Sequence, residues 1–173
     1  AGLFLVVGAI DHGTGTRDIT MLGGLRDPMT VSFISTIMAS AAMFGLPPLI
    51  GFFAKEEMYA ALALGQLESL LALAALVLGN GLLGAIGLAL LIKPFMGQLL
   101  TTPIEPHEAP VAMLAGPVVL GLLGIFLGFI PALVGELAVA PATSAILGVA
   151  VDTHLKFAVD LFGPAFWLSV ATW

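Results

Sequence analysis

The chain has 173 residues, of which 60% are hydrophobic and 9% charged, against roughly a quarter charged in an ordinary soluble domain. Five basic and eleven acidic residues give a net charge of −6, which leaves no electrostatic footprint for nucleic-acid binding. The absence of cysteine removes disulfide frameworks, thiolate zinc sites and iron–sulfur ligation from this stretch. Neither a phosphate-cradling GxxxxGK[ST] loop nor an HExxH pair occurs, and no cofactor or metal is implied.

Taken in order, Ala1–Ile10 (AGLFLVVGAI) is apolar but shorter than the roughly 20 residues that a crossing needs. It reads as the end of a helix. Without an initiator Met, a basic n-region or a small-residue cleavage site, it does not read as a signal peptide. Residues 11–27 (DHGTGTRDITMLGGLRD) form a polar, Gly/Thr-rich connection. Residues 28–65 predict a helix broken near Pro47-Pro48 and running on past Lys55. Residues 68–93 predict an uninterrupted helix with Asn80 near its middle. It is expected to end at Lys93, because the residue before Pro94 is steered out of the α region. A proline-punctuated loop, 94–109, precedes a helix over 110–130 that Pro131 closes. Residues 132–156 read as an interfacial segment of small and apolar residues followed by Asp152, His154 and Lys156. His154 and Lys156 are expected on a solvated face, and another helix is expected to begin near 157–160. The closing stretch, Leu161–Trp173 (LFGPAFWLSVATW), is again too short to span. Both ends look like helices cut partway through, as in a piece of a longer polypeptide.

Three runs free of Asp, Glu, Lys and Arg are long enough to cross a bilayer: Pro28–Ala54, Ser69–Ile92 and Ala109–Gly135. The expected fold is therefore all-α, a polytopic transmembrane helical bundle with one proline-broken helix. The 21 glycines belong to helix packing. Gly124 and Gly128 form a GxxxG pair, and Gly81, Ala85 and Ala89 a small-residue stripe at i, i+4, i+8, spacings that let membrane helices approach closely. Packing within the chain is preferred over dimerisation. The connections 11–27 and 93–109 must share one side of the membrane and hold Arg17, Arg26 and Lys93, whereas the other side holds only Lys156. The positive-inside bias assigns 11–27 and 93–109 to the cytoplasm.

Lys55 is the most informative residue. From Pro28 through Ala54 there is no charge at all, and that run carries its own helix breaker, Pro47-Pro48. An ammonium within hydrocarbon is expensive and marks an ion or proton path by default. A helix broken at membrane depth is tolerated only where protein or a water-filled cavity covers the freed backbone groups. The break lies about seven residues before Lys55, roughly 10 Å at 1.5 Å per residue. The plain alternative is a snorkelling lysine with solvated Glu56 and Glu57 at a helix end. The functional reading needs a lysine that releases a proton near neutral pH, because desolvation disfavours its charged form. Glu56 is a possible relay beside it. Asp11-His12, directly after a helix, reads either as a loop pair or as a relay through His12, since an imidazole suits proton handoff at physiological pH. His107-Glu108, framed by Pro106 and Pro110, reads as a loop turn with an N-cap carboxylate favoured by the helix dipole.

The run DHGTGTRDITMLGGLRDPMT followed by GLPPLIGFFAKEEMY resembles the Mrp-type multisubunit cation/proton antiporters, specifically their large A subunit, itself similar to the antiporter-like membrane subunits of respiratory complex I. PHEAP at 106–110 and LFGPAFWLS near the end add to the likeness. The resemblance implies that Lys55 sits on a broken helix as a proton-exchange group in a central polar chain. It also implies that 1–173 is the later part of the second of two inverted repeats within one membrane domain, the general transporter plan. The family's second lysine would fall immediately before Ala1. The implied function is a membrane subunit of a sodium (cation)/proton antiporter, a transporter rather than an enzyme, multi-pass in the cell membrane. Its partners would be the other membrane subunits, protons, a monovalent cation, sodium being the expected one, and the lipid bilayer. Two alternatives stay open. One is a proton-pumping subunit of a complex I or membrane-bound hydrogenase type oxidoreductase; the other is a structural scaffold subunit.

Overall fold

The computed structural model describes residues 1–63, 65–151 and 162–173, and the regular structure among them is helical throughout. The helices are α1 (Gly2–Thr14), α2 (Thr30–Phe44), α3 (Ile50–Ala63), α4 (Leu67–Phe95), α5 (Val111–Phe129), α6 (Pro131–Leu147) and α7 (Pro164–Ala171). A single 3₁₀ turn, Ile19–Met21, lies between α1 and α2. α6 widens to a π turn over Gly135–Val139. The helices gather into two compact units. One comprises Ala1–Phe44 and Leu82–Leu123, the other Gly45–Gly81 and Gly124–Trp173.

The all-α, membrane-spanning expectation holds. α4 and α5 are each long and apolar enough to cross a bilayer. The run Pro28–Ala54 does not form a third continuous helix. It is split into α2 and α3, because Gly45 turns left-handed at φ 64° and two prolines follow. A proline offers no N–H and crowds the carbonyl four residues back, so the helix has to restart at Ile50.

Several boundaries differ from those the sequence predicts. α1 runs on to Thr14, so Asp11 and His12 lie in a last helical turn rather than a loop. The turn is closed by the Thr14 hydroxyl donating to the Ile10 carbonyl at 2.7 Å and by Gly15, left-handed at φ 71°, whose N–H reaches the Asp11 carbonyl at 2.8 Å. α4 passes through Pro94 to Phe95 instead of stopping at Lys93. A proline in a final turn removes only one intrahelical bond, and the end is capped from outside. Leu25 N–H donates to the Pro94 carbonyl and Gly24 N–H to the Met96 carbonyl, each at 3.1 Å. Pro131 not only closes α5 but opens α6, at the first helical turn where a missing N–H costs least. Asp152, His154, Lys156 and the helix expected near 157–160 lie outside the described residues.

In the first unit, Val6, Ile10, Leu22, Leu25, Met29 and Phe95 form the apolar centre, with Phe33 packed against it. The connections 11–27 and 93–109 are tied to each other there, as their assignment to one side of the membrane requires. His107 N–H donates to the Gly13 carbonyl and Ile104 N–H to the Thr14 carbonyl, both at 3.2 Å. In the second unit, Tyr59, Leu73 and Ala165 join α3, α4 and α7.

The small-residue stripe falls on a different face from the one expected. Ala85 and Ala89 are exposed, and nothing stands within 4 Å of where a Gly81 side chain would be. The close approaches belong instead to Gly84, against the Phe44 ring edge, and Gly87, whose carbonyl accepts from Ser40 Oγ at 3.0 Å. Of the GxxxG pair only Gly128 is packed. A Cβ there would overlap the Pro48 carbonyl oxygen, while Gly124 faces open space.

A buried lysine at the helix break

The geometry of the break follows from a few residues. Gly45 supplies the left-handed turn, Pro47-Pro48 prevents helix, and Gly128 leaves room for the Pro48 carbonyl. The chain re-enters helix through Leu49, whose N–H reaches the Leu46 carbonyl at 3.0 Å, and Phe52, whose N–H reaches the Leu49 carbonyl at 3.0 Å. Lys55 then falls in the second turn of α3 with its side chain folded back to the break. A Cβ on Gly45 would stand 3.0 Å from Lys55 Cε and 3.2 Å from Nζ. Glycine is thus called for at 45 by its backbone angle, and a side chain there would also press on the end of the lysine stem.

Lys55 is 5% exposed, so the snorkelling alternative does not describe this arrangement. Its ammonium donates to Thr172 Oγ1 at 3.0 Å and lies 5.3 Å from the centre of the Trp173 ring. Thr172 in turn donates to the Ser169 carbonyl at 2.7 Å. Trp173 is flanked by Phe52 and Phe166, at ring-centre separations of 6.3 and 6.4 Å. A cation against an aromatic face gains about 0.5–2 kcal/mol, more when desolvated. One turn further along α3, Tyr59 is fully buried and its hydroxyl accepts from Asn80 Nδ2 at 2.9 Å. Asn80, expected as a lone polar group in α4, has its partner on the lysine helix.

The other sequence candidates sort as follows. Glu56 is half-buried beside Lys55 and Glu57 is exposed. His12 belongs to the other unit. It is exposed in the last turn of α1, its ring edge-on to that of His107 at 6.1 Å. Asp11 beside it pairs with Arg17 at 2.8 Å. Asp18 accepts from the Thr20 hydroxyl at 2.6 Å and its N–H at 2.9 Å, and these bonds hold its carboxyl below the ordinary range. Glu108 is a capping carboxylate, but for a different helix from the one that follows it. It accepts from Val31 N–H at 2.7 Å, Ser32 N–H at 3.3 Å and Ser32 Oγ at 2.6 Å, closing the N-terminus of α2. The positive end of the helix dipole favours a carboxylate there.

Thr172, Ser169, Tyr59 and the buried face of α2 are not among the residues that sequence reasoning singles out. That face consists of Ser32, Ser35, Thr36 and Ser40. Their i, i+3, i+4, i+8 spacing is a legible signal. Thr172 carries none, because nothing local ties it to a residue more than a hundred positions earlier.

Residues 1–83 match the family described as NADH:quinone oxidoreductase/Mrp antiporter, TM. The chain is 33% identical over 99% of its length to the A1 subunit of the Na(+)/H(+) antiporter of Staphylococcus haemolyticus (strain JCSC1435), and 35% identical over 98% to the A subunit of that of Bacillus subtilis (strain 168). It spans 22% of each of those relatives, about a fifth of their length. Its fold matches a chain in the structure of the Mrp complex from Dietzia sp. DQ12-45-1b with a TM-score of 0.74 and 34% identity, over 99% of this chain and 18% of that one. The helical architecture, the broken helix and these matches are those of a multi-pass membrane domain similar to the antiporters' own. Within that class the chain is similar to part of the A subunits of Na(+)/H(+) antiporters and to part of a chain of the Mrp complex.

Proposed function

We propose that this stretch belongs to the proton-translocating membrane subunit of a multisubunit Na(+)/H(+) antiporter and that Lys55 is its proton-exchange group. The observation that carries the reading is Lys55 itself. It is a buried ammonium folded back onto a helix break, held by a hydroxyl and an aromatic face. A group in that position is shielded from bulk water yet lies where the backbone is open to a hydrated approach. Glu56, adjacent on α3, is a relay candidate. His12 is a second, on the face that carries Arg17 and Arg26. Sodium as the exchanged cation and the other membrane subunits as partners come from the names of the relatives. Both compact units are read as one membrane domain, the later part of the second inverted repeat.

In the complete antiporter, Lys55→Ala should abolish cation-dependent proton flux in vesicles while the other subunits still co-purify. Lys55→Arg should fail as well, because a guanidinium does not deprotonate in this pH range. A fully active arginine variant would leave only a requirement for positive charge and end the exchange role. The family description also covers NADH:quinone oxidoreductase, which sustains the redox-pump alternative. Similarity to the antiporters' A subunits over nearly the whole chain favours antiport.

The subunit is placed in the cell membrane, with 11–27 and 93–109 on the cytoplasmic side by the positive-inside bias. Thr14, on that side, is fully buried, so Thr20 and Thr101 are the exposed positions for labelling there, and Val149 for the opposite face. An impermeant thiol reagent added outside should label Val149→Cys and neither Thr20→Cys nor Thr101→Cys. The reverse pattern inverts the orientation.

A further inference from the structure

We propose that the proton path continues from Lys55 onto α7, with Thr172 as the residue that orients the ammonium and Ser169 as an anchor for a bound water. This rests on Lys55 being the exchange group. An ammonium has three protons to donate and no acceptor. The proton of the Thr172 hydroxyl is committed to the Ser169 carbonyl, at 2.7 Å, so its oxygen is turned to Lys55 as an acceptor at 3.0 Å. That bond favours the charged lysine. Once Lys55 is neutral its lone pair can accept, and the same hydroxyl can rotate off the Ser169 carbonyl to donate to it. Thr172 is therefore a two-position rotor that follows the protonation state of its neighbour.

Ser169 supplies the second, independent observation. It is 0% exposed, and its Oγ has no hydrogen-bond partner among the described residues. A buried hydroxyl left unsatisfied is costly, and such groups in native structures are commonly met by ordered water. Ser169 and Thr172 are three residues apart, hence neighbours on one face. A water bonded to Ser169 Oγ would lie beside the lysine's own partner. The transfer step balances with water as the co-reactant. One Nζ–H bond breaks, an O–H bond forms on the water, and the excess proton leaves along further water while Lys55 stays neutral. Trp173 lies over the ammonium on the same side, 5.3 Å from Nζ to its ring centre.

The other ionisable groups described in this unit are Glu56, Glu57 and Tyr59 on α3, Glu68 on α4 and Glu136 on α6; α7 carries none. The experiment uses the complete antiporter in vesicles. Thr172→Val keeps the volume and removes the acceptor. It should lower cation-dependent proton flux at neutral pH about tenfold and move the midpoint of the pH–activity profile toward acid by about one unit, the scale of one hydrogen bond to a charged group. Thr172→Ser should restore both. Ser169→Ala should lower flux and leave the midpoint in place. Wild-type flux and midpoint in Thr172→Val would overturn the orienting role, as would a serine variant no better than valine. Wild-type flux in Ser169→Ala would overturn the water site. Co-purification of the other subunits checks assembly, and if Thr172→Val fails it, Thr172→Ser and Ser169→Ala decide. Lys55→Ala in the same vesicles separates the two readings. If it stays active, the exchange role falls; if it is dead while Thr172→Val behaves as wild type, only the continuation onto α7 falls.

Discussion

In the unit built from residues 1–44 and 82–123, polar groups close mainly on backbone. Glu108 takes up the first amides of α2, Thr36 donates to the Ser32 carbonyl, and Ser40 donates to the Gly87 carbonyl. Gly24 and Leu25 N–H groups cap the end of α4. In the unit built from 45–81 and 124–173, backbone bonds such as Thr172 to the Ser169 carbonyl are joined, at the lysine helix, by pairs of side chains: Lys55 with Thr172, Asn80 with Tyr59. Backbone partners fix geometry and change little with protonation. Side-chain partners can rotate and exchange protons. The motifs that look most distinctive in the sequence, GTGTRD, GGL and PHEAP, thus lie in a clasp between two connections, whereas the plainer GLPPLIGFFAKE holds the buried lysine.

The largest effect that would sharpen this contrast is expected at Gly128. Gly128→Ala pushes a methyl into the Pro48 carbonyl, with the Pro48 carbonyl carbon at 2.8 Å and Ile50 N at 2.9 Å from it, so backbone rather than a flexible side chain must move. Overpacking of this kind costs about 1–3 kcal/mol. Here it also displaces the turn against which Lys55 folds. Proton flux in vesicles should drop by on the order of tenfold or more, whereas Gly124→Ala, facing open space, should leave flux unchanged. Equal effects at the two glycines would mean that the pair acts as a helix–helix contact motif and not through the break.

Gly24→Ala tests the clasp. Gly24 sits at φ 66°, and a Cβ would run into Leu99 N, with the Gln98 carbonyl carbon at 2.6 Å. The left-handed angle alone costs about 1–2 kcal/mol for a residue with a side chain. The expected readout is lower yield and lower melting temperature of the purified complex, with the flux per assembled complex close to wild type. A normal yield with abolished flux would move the chemistry into the clasp and reverse the contrast.

How far the sequence reaches depends on the range of the forces involved. The break, the two spanning helices and the buried lysine are legible in it, because proline geometry and an uncharged run ending in Lys55 act locally. The end of α1 lies a turn beyond the sequence expectation, since Thr14 and Gly15 close a helix that the polar Asp11-His12 pair would otherwise end. The packed face of α4 is not legible, because Gly81, Ala85 and Ala89 obey the same kind of spacing as Gly84 and Gly87; only a partner such as Ser40 distinguishes them. Glu108 is legible as a cap but not as the cap of α2, because sequence proximity favours α5 and only the tertiary fold brings α2 within reach.

The smallest of these effects is expected at Glu108, and it is the most local test of the clasp. Glu108→Ala leaves Ser32 Oγ and the Val31 and Ser32 amides without their acceptor, and Ser32 is 0% exposed. Loss of a capping carboxylate costs about 0.5–2 kcal/mol. Hydrogen exchange at the Val31 and Ser32 amides should therefore quicken, by about tenfold for each 1.4 kcal/mol by which local opening becomes easier. Glu108→Gln keeps one acceptor oxygen and should fall between, because an amide can accept from the first turn but loses the charge that the helix end favours. Flux should stay near wild type in both variants. If flux falls with the carboxylate while exchange at the two amides does not change, Glu108 is acting on a proton and not on α2.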